Sequence, residues 1–270
     1  MLTGKIAIGV DESFRPIVDE EAHIFTYLNE KADLKMVYGA ENKIVGLLLN
    51  DSVRLAILSR ELSAQEVKLL TERTLPPEIN RFAIDAVTLI VNNASVDTLI
   101  TVGELKKMLN GQTKTDLNIV FDNPNSSLVR YLKSFANVSD LKGRNIYALK
   151  DNKEVIKYVS QHQNAIGITG FSWLNDPDKD YADAVAKVKL MAVKDDSKET
   201  GYFKPSQATL ALKQYPLTRN LYVINSTGKM GLGTGFENFL LSDRGQRIIL
   251  QSGILPDSIP TREISITKKF

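Results

Sequence analysis

Strand-like and helix-like signals alternate over the first 75 residues, and this alternation constrains the fold more than any other feature. The run from Lys5 to Val10 is short and β-branched, and Val18, Ala22 and Phe25 then recur at helical spacing. The same order of strand and helix is repeated twice before residue 75. Parallel neighbouring strands need a crossover helix, so the rhythm predicts an α/β fold whose parallel sheet is covered by helices.

A second α/β unit follows the Pro76-Pro77 pair. We expect a long apolar strand from Phe82 to Val91, a strand from Ala186 to Val193 and one long helix from Gly235 to Gln251. Capping pairs indicate further helix starts. These pairs are Ser63 with Glu66, Thr101 with Glu104, and Asp151 with Glu154. Two α/β units in one chain predict two lobes, with a ligand cleft at the facing carboxyl ends of their strands.

The composition excludes several classes of function. The net charge of +2 is too small to indicate a nucleic-acid partner. The chain has no cysteine, which rules out disulfides, thiolate metal sites and thiol nucleophiles. Its two histidines, His23 and His162, lie far apart in sequence, and we expect both on helix surfaces. The residues therefore favour binding over catalysis and predict no cofactor. A hydrolase with a pair of carboxylates stays open as an alternative, since Asp and Glu are plentiful, but no spacing singles out such a pair.

Two motifs that suggest cofactor or metal chemistry fail on spacing. Gly231 to Gly235 has three glycines, but Phe236 stands where a dinucleotide-binding loop needs its third glycine. Asp176, Asp178 and Asp180 resemble the start of a calcium loop whose required Gly and final Glu are missing. We expect a helix entry for the first motif and a solvated loop for the second.

Four turns between a strand and a helix carry small or polar residues. They are Asp11–Phe14, Gly39–Asn42, Ser59–Glu61 and Asp122–Ser127. Free N–H groups and hydroxyls at helix N-termini form anion sites without any catalytic group. The alternative is that these residues only cap their helices. Because the turns come from both units, we favour a shared pocket that binds a small anion.

Seven segments, in order over nearly the whole chain, carry a family resemblance. Tyr215 to Val223 reads YPLTRNLYV, close to a YPLTRPLYV strand motif, and Ala165 to Ile168 reads AIGI for an AIGY motif. The others are Ile6–Pro16, Leu48–Arg60, Ala83–Asn92, Ile100–Gly111 and Phe239–Pro256. With these segments the chain resembles the periplasmic phosphate-binding proteins of ABC transporters.

The resemblance implies an α/β, two-lobed type II periplasmic-binding-protein fold. Each lobe would be a mixed sheet flanked by helices, and two crossing strands would join the lobes. Residues 1–88 and 216–270 would form lobe 1, and residues 89–215 lobe 2. A binder of another small anion that serves as a sensor or interaction protein is the main alternative, and an enzyme on the same fold is a further one.

The resemblance also implies a role and partners. The chain would capture phosphate or a similar oxyanion in the periplasm and deliver it to an ABC transporter permease, acting as a monomer without metal. Its leader, of the lipoprotein type or not, would be absent from this sequence.

The expected ligand-binding residues lie in the four turns or, for Arg15, directly after one of them. They are Ser13, Phe14, Arg15, Glu41, Asn42, Ser59, Arg60, Asn125, Ser126 and Ser127. The family places an Arg where this chain has Asp122, so Arg15, Arg60 or Arg130 would have to supply the cation that pairs with the anion.

Overall fold

The chain folds into two α/β lobes whose sheets share one long strand. The structure is a computed structural model and describes residues 2–73, 76–113, 116–141, 143–199, 201–228 and 230–259. No helix in these ranges is both long enough and apolar enough to cross a bilayer.

The first lobe contains both ends of the described chain. Its sheet has the order β2-β1-β3-β11-β4, in which β1 is parallel to β2 and β3, and β11 is antiparallel to β3 and β4. A single 3-10 turn over Glu12–Phe14 leads from β1 into α1. The elements are β1 (Gly4–Asp11), α1 (Arg15–Leu28), β2 (Ala32–Gly39), α2 (Glu41–Leu49), β3 (Leu55–Leu58), α3 (Ala64–Arg73), β4 (Glu78–Asn92), β11 (Thr218–Asn225), α10 (Leu232–Leu241), α11 (Asp243–Gln251) and β12 (Leu255–Pro256).

The second lobe is built on the other half of β4. There β4 pairs antiparallel with β8 and β9, while β6 is parallel to β8 and β7, and β5 with β10 forms a separate two-stranded sheet. The elements are β5 (Leu99–Thr101), α4 (Val102–Leu109), β6 (Asn118–Phe121), α5 (Ser127–Ala136), β7 (Ile146–Ala148), α6 (Asn152–Gln161), β8 (Ala165–Gly170), α7 (Ser172–Asn175), α8 (Ala182–Val185), β9 (Val188–Leu190), β10 (Ala192–Lys194) and α9 (Gln207–Ala211).

Strand β4 joins the two lobes because its pairing partner changes along its length. It pairs with β11 as far as Ala86 and with β8 from Val87 onward. The segment before β11 crosses beside it, and the buried Tyr215 hydroxyl donates to the carbonyl of Val87 at 2.7 Å. The predicted pair of crossing strands is confirmed, while the predicted residue bounds of the lobes stay a prediction.

The three predicted capping pairs all cap helices. Thr101 and Glu104 form a reciprocal capping box at α4, with 3.1 Å from the Glu104 amide to the Thr101 hydroxyl. Ser63 and Glu66 make the same two contacts ahead of α3, and Asp151 accepts from the Glu154 amide at α6. Each contact satisfies an amide that the helix leaves free, so the helices begin where the sequence predicts.

Two predicted elements are wrong because each is divided. The expected helix Gly235–Gln251 is two helices, α10 and α11, separated at Ser242, whose backbone is extended and whose hydroxyl accepts from the Gly245 amide at 3.4 Å. A Cβ at Gly245 would collide with the carbonyl of Phe239, so glycine allows the tight turn between the helices. The expected strand Ala186–Val193 is also divided, into β9 and β10, which belong to different sheets.

Candidate functional site

The strand ends of the two lobes meet in a cleft lined by the predicted turns. Ser13 follows β1 in the first lobe, and Ser127 opens α5 in the second lobe. Their hydroxyl oxygens lie 3.3 Å apart, although 114 positions separate them in sequence. Both serines are fully buried. The turns that the sequence singled out therefore face each other across the cleft.

Local hydrogen bonds fix each serine turn. The carboxylate of Asp11 accepts from the Ser13 amide at 3.1 Å, and this closes the turn into α1. In the facing turn, the Ser126 hydroxyl accepts from the Val129 amide at 3.1 Å and caps α5. Because both hydroxyl-bearing turns are also helix starts, the N-terminal ends of α1 and α5 both point at the cleft.

The guanidinium that contacts these serines belongs to Arg219. Its Nη1 lies 3.4 Å from the Ser127 hydroxyl, while Nε and Nη2 donate to one oxygen of Asp85 at 3.1 and 3.0 Å. The group also stacks 4.5 Å above the ring of Phe14. Sequence reasoning did not single out Arg219. The sequence did contain a clue, since one acidic and one basic residue each interrupt an apolar strand. The structure places these two residues, Asp85 and Arg219, opposite each other in the register of β4 and β11.

Two further carboxyl groups, from Asp11 and Asp122, lie in the floor of the cleft. Asp122 accepts from the Ser126 hydroxyl at 2.5 Å and from the Asn152 amide at 3.3 Å. Burial raises the pKa of Asp122 to about 7 and that of Asp11 to about 6, and the positive charge of Arg219 opposes both shifts. The floor thus combines hydroxyl donors with carboxyl groups that titrate near neutral pH.

A second cluster, which we call the Glu41 cluster, contains Glu41, Ser59, Arg60 and Arg130. The carboxylate of Glu41 is buried and accepts two bonds from Arg130, at 2.5 and 3.2 Å, and one from the Ser59 hydroxyl at 2.9 Å. Arg130 also donates to Ser59 at 2.7 Å. Since Arg130 lies on α5 and Glu41 on α2, the cluster joins the two lobes.

Arg60 lies within ion-pair distance of two carboxylates, those of Glu66 and Glu41. It forms a two-pronged pair with Glu66 at 2.8 Å for each bond, and its Nε lies 3.7 Å from Glu41. The hydrogen bonds from Arg60 lower the pKa of Glu66 to about 2. Arg60 and Arg130, two of the three predicted cations, are therefore already engaged by carboxylates of this chain.

Two small cavities lie beside the two serine turns. One has a volume of about 260 Å³ and is lined by Asn42, Asn125 and Arg130, among others. The other, also about 260 Å³, lies between Arg15 and Asp122. Both are smaller than the cavities of 300–1,000 Å³ typical of drug-sized ligands. Five of the ten predicted residues line these cavities: Arg15, Glu41, Asn42, Asn125 and Ser126. Ser13, Phe14 and Ser127 lie at the serine contact, and Ser59 and Arg60 lie in the Glu41 cluster. The roles of all ten in binding a ligand stay predictions.

Two of the three aspartates that resembled a calcium loop pair with a lysine. Asp178 and Asp180 accept from Lys153 at 2.8 and 3.1 Å. Across the residues that the structure describes, no group of three or more His, Cys, Asp or Glu side chains is arranged to hold a metal ion.

The comparison with protein families agrees with this architecture. A family model described as "PBP superfamily domain" matches residues 2–244. The chain belongs to this family. The match takes in both lobes and every residue that lines the cleft, so the PBP superfamily domain covers the whole candidate site.

Comparisons with individual proteins agree with the family match. The phosphate-binding protein PstS of Borreliella burgdorferi is 26% identical over 274 residues, covering 93% of this chain and 89% of that relative. A putative phosphate ABC transporter substrate-binding protein with bound phosphate from Clostridium perfringens has a TM-score of 0.76 at 17% identity, covering 94% of this chain and 100% of the other. An ABC-type phosphate transport receptor from Vibrio cholerae has a TM-score of 0.69 at 19% identity, with the same coverage. These likenesses confirm the predicted two-lobed fold.

Proposed function

We propose that this PBP superfamily domain captures phosphate or a similar tetrahedral oxyanion between its lobes for an ABC importer. The single observation that carries the proposal is the contact between the Ser13 and Ser127 hydroxyls, 3.3 Å apart, with the Arg219 guanidinium 3.4 Å from Ser127. Hydroxyls from both lobes and one cation meet there at two helix N-termini. The names of PstS and of the phosphate transport receptor support phosphate as the ligand.

Binding would proceed by closure of the lobes, without a chemical step. An oxyanion that enters the open cleft accepts hydrogen bonds from the Ser13 turn on one side and from Ser126 and Ser127 on the other. The lobes close over it, and the two helix N-termini offset the loss of its hydration shell. In this proposal the protein is not an enzyme, works outside the cytoplasm as a monomer, and passes its solute to a membrane permease.

Calorimetry with phosphate, sulfate and molybdate tests the proposal. We expect one site per chain with a preference for phosphate. Ser127→Ala removes a hydroxyl that faces the anion, and hydrogen bonds to charged groups contribute about 1.5–3 kcal/mol, so the Kd should rise about 10- to 100-fold. Ser134→Ala, on the exposed side of the same helix, is the matched control and should bind like the unaltered protein. Failure of all three anions to bind would refute the proposal.

A further inference from the structure

The floor of the cleft holds more carboxyl groups than cations. Asp11, Asp85 and Asp122 are all buried there, and Arg219 is the guanidinium that reaches them. Two of its donors already go to Asp85. With all three carboxyl groups ionised, the floor would carry a net negative charge and repel the anion that the serine turns are placed to receive.

The groups around Asp122 do not supply the missing positive charge. From β1 and the following turn, Asp11 and Glu12 face it with negative charge, and Glu12 accepts from Asn123 beside it. From the start of α6, Asp151 and Lys153 line the same cavity, and Lys153 is paired with two other aspartates. Arg15 also lines this cavity, but its guanidinium stacks 3.9 Å above the ring of Tyr38, and Arg219 is the cation that acts on Asp122.

Asp11 lies at the end of β1, directly before the Ser13 turn. Arg219 and Glu41 are the charged groups that act on it, with opposite effects, and the charge of Glu41 is matched by Arg130. Oδ1 of Asp11 accepts from the Ser13 amide, while its Oδ2 has no hydrogen-bond partner within the described part of the chain. The Ser127 hydroxyl also opposes the rise in the pKa of Asp11 by hydrogen bonding to its carboxylate. A proton on Oδ2 would add a donor while Oδ1 keeps its bond to the Ser13 amide.

We infer that the cleft takes up a proton when it binds its oxyanion, and that Asp122, supported by Asp11, is the group that holds this proton. A neutral carboxylic acid at Asp122 removes the repulsion and offers the solute an O–H donor. The inference rests on the proposed function, because it concerns the same site and the same class of solute. Asp122 thereby becomes a residue that determines which pH range and which anions the site accepts.

Protonating Asp122 costs little free energy near neutral pH. Burial raises the pKa of Asp122 to about 7, so about one tenth of the molecules carry the proton at pH 8 and nearly all carry it at pH 5.5. When one protonation state is competent, the apparent Kd increases by the inverse of its population. Affinity should therefore rise as the pH falls from 8 to 6.

The variant Asp122→Asn separates this inference from its alternatives. Asparagine has the same shape and stays neutral, so it mimics the protonated acid at every pH. Because phosphate itself titrates in this range, the quantity to measure is the ratio of the phosphate Kd values of the two proteins by calorimetry between pH 5.5 and 8. We expect the variant to bind about tenfold more tightly than the unaltered protein at pH 8, and equally at pH 5.5. Calorimetry in buffers of different ionisation enthalpy should show that the variant takes up fewer protons.

The control is Asp151→Asn, which removes a negative charge from the same cavity and keeps a good helix cap. Its binding should keep the pH dependence of the unaltered protein. A Kd ratio for Asp122→Asn that is the same at every pH would overturn the inference. Weaker binding of that variant at every pH would also overturn it, because it would mean that the ionised carboxylate accepts a hydrogen bond from the solute. If neither protein binds phosphate, sulfate or molybdate at any pH, the proposed function fails and the inference fails with it.

Discussion

Glu21 lies on the buried side of α1, and its two carboxyl oxygens have no hydrogen-bond partner in the described ranges. Burial, aided by the charge of Glu20, raises its pKa from 4.5 to about 9. Between these values the folded chain keeps a proton that the unfolded chain releases, so the free energy of unfolding falls as the pH rises from about 4.5 to about 9. Glu21→Gln should remove this loss. By urea denaturation, its stability relative to the unaltered protein should improve by about 2–4 kcal/mol from pH 5 to pH 8.

Glu20→Gln is the control for this prediction, since Glu20 is the exposed neighbour on the same helix. It should change the pH dependence of stability far less. If the advantage of Glu21→Gln were the same at both pH values, packing and not ionisation would be responsible.

Contacts of single side chains could be predicted from the sequence where their partners are local, as for Thr101 and Glu104. The pairing of Arg219 with Asp85 could not, because it depends on the register of two strands 134 residues apart.

At the scale of elements, the contact between α2 and α5 through the Glu41 cluster should favour the closed arrangement of the lobes. The Arg130 side chain is 42% exposed, so its pair with the buried Glu41 is partly screened and contributes about 1 kcal/mol. Arg130→Gln should therefore weaken phosphate binding about fivefold in calorimetry. Lys133→Gln, on the same helix but paired with the exposed Asp140, should have a smaller effect. Equal losses in both variants would point to general electrostatic attraction instead.

The division of the expected helix Gly235–Gln251 has a physical cause that sequence analysis does not detect. Apolar residues continue at helical spacing from Phe236 through Ile248, so the pattern alone indicates one helix. The backbone nevertheless breaks at Ser242, where a hydroxyl cap and the small Gly245 make a sharp turn favourable. Hydrophobic periodicity indicates which face of a helix is apolar. It does not indicate whether successive helical turns belong to one continuous helix or to two helices with different axes.

At the scale of the whole molecule, a solute that bridges two lobes should make the protein more compact. We expect the radius of gyration from small-angle X-ray scattering to decrease when phosphate is added, and to decrease less for Ser127→Ala at the same phosphate concentration. Arg130→Gln should have a larger radius of gyration than the unaltered protein before phosphate is added, because it lacks a contact between the lobes. An unchanged radius of gyration in all three proteins would show that binding does not depend on closure.

Strand β4 determines how such a motion can occur. Its partner changes from β11 to β8 between Ala86 and Val87, so each lobe holds one half of the strand by backbone pairing. Sliding of one lobe past the other would break this pairing, whereas torsion at the junction leaves it intact. We therefore expect the junction to act as the pivot of the molecule, and Asp85, beside it, is bonded to the guanidinium that also contacts Ser127. A solute that drew Arg219 toward the cleft would weaken its bonds to Asp85, so we expect the pivot to respond to what the cleft holds.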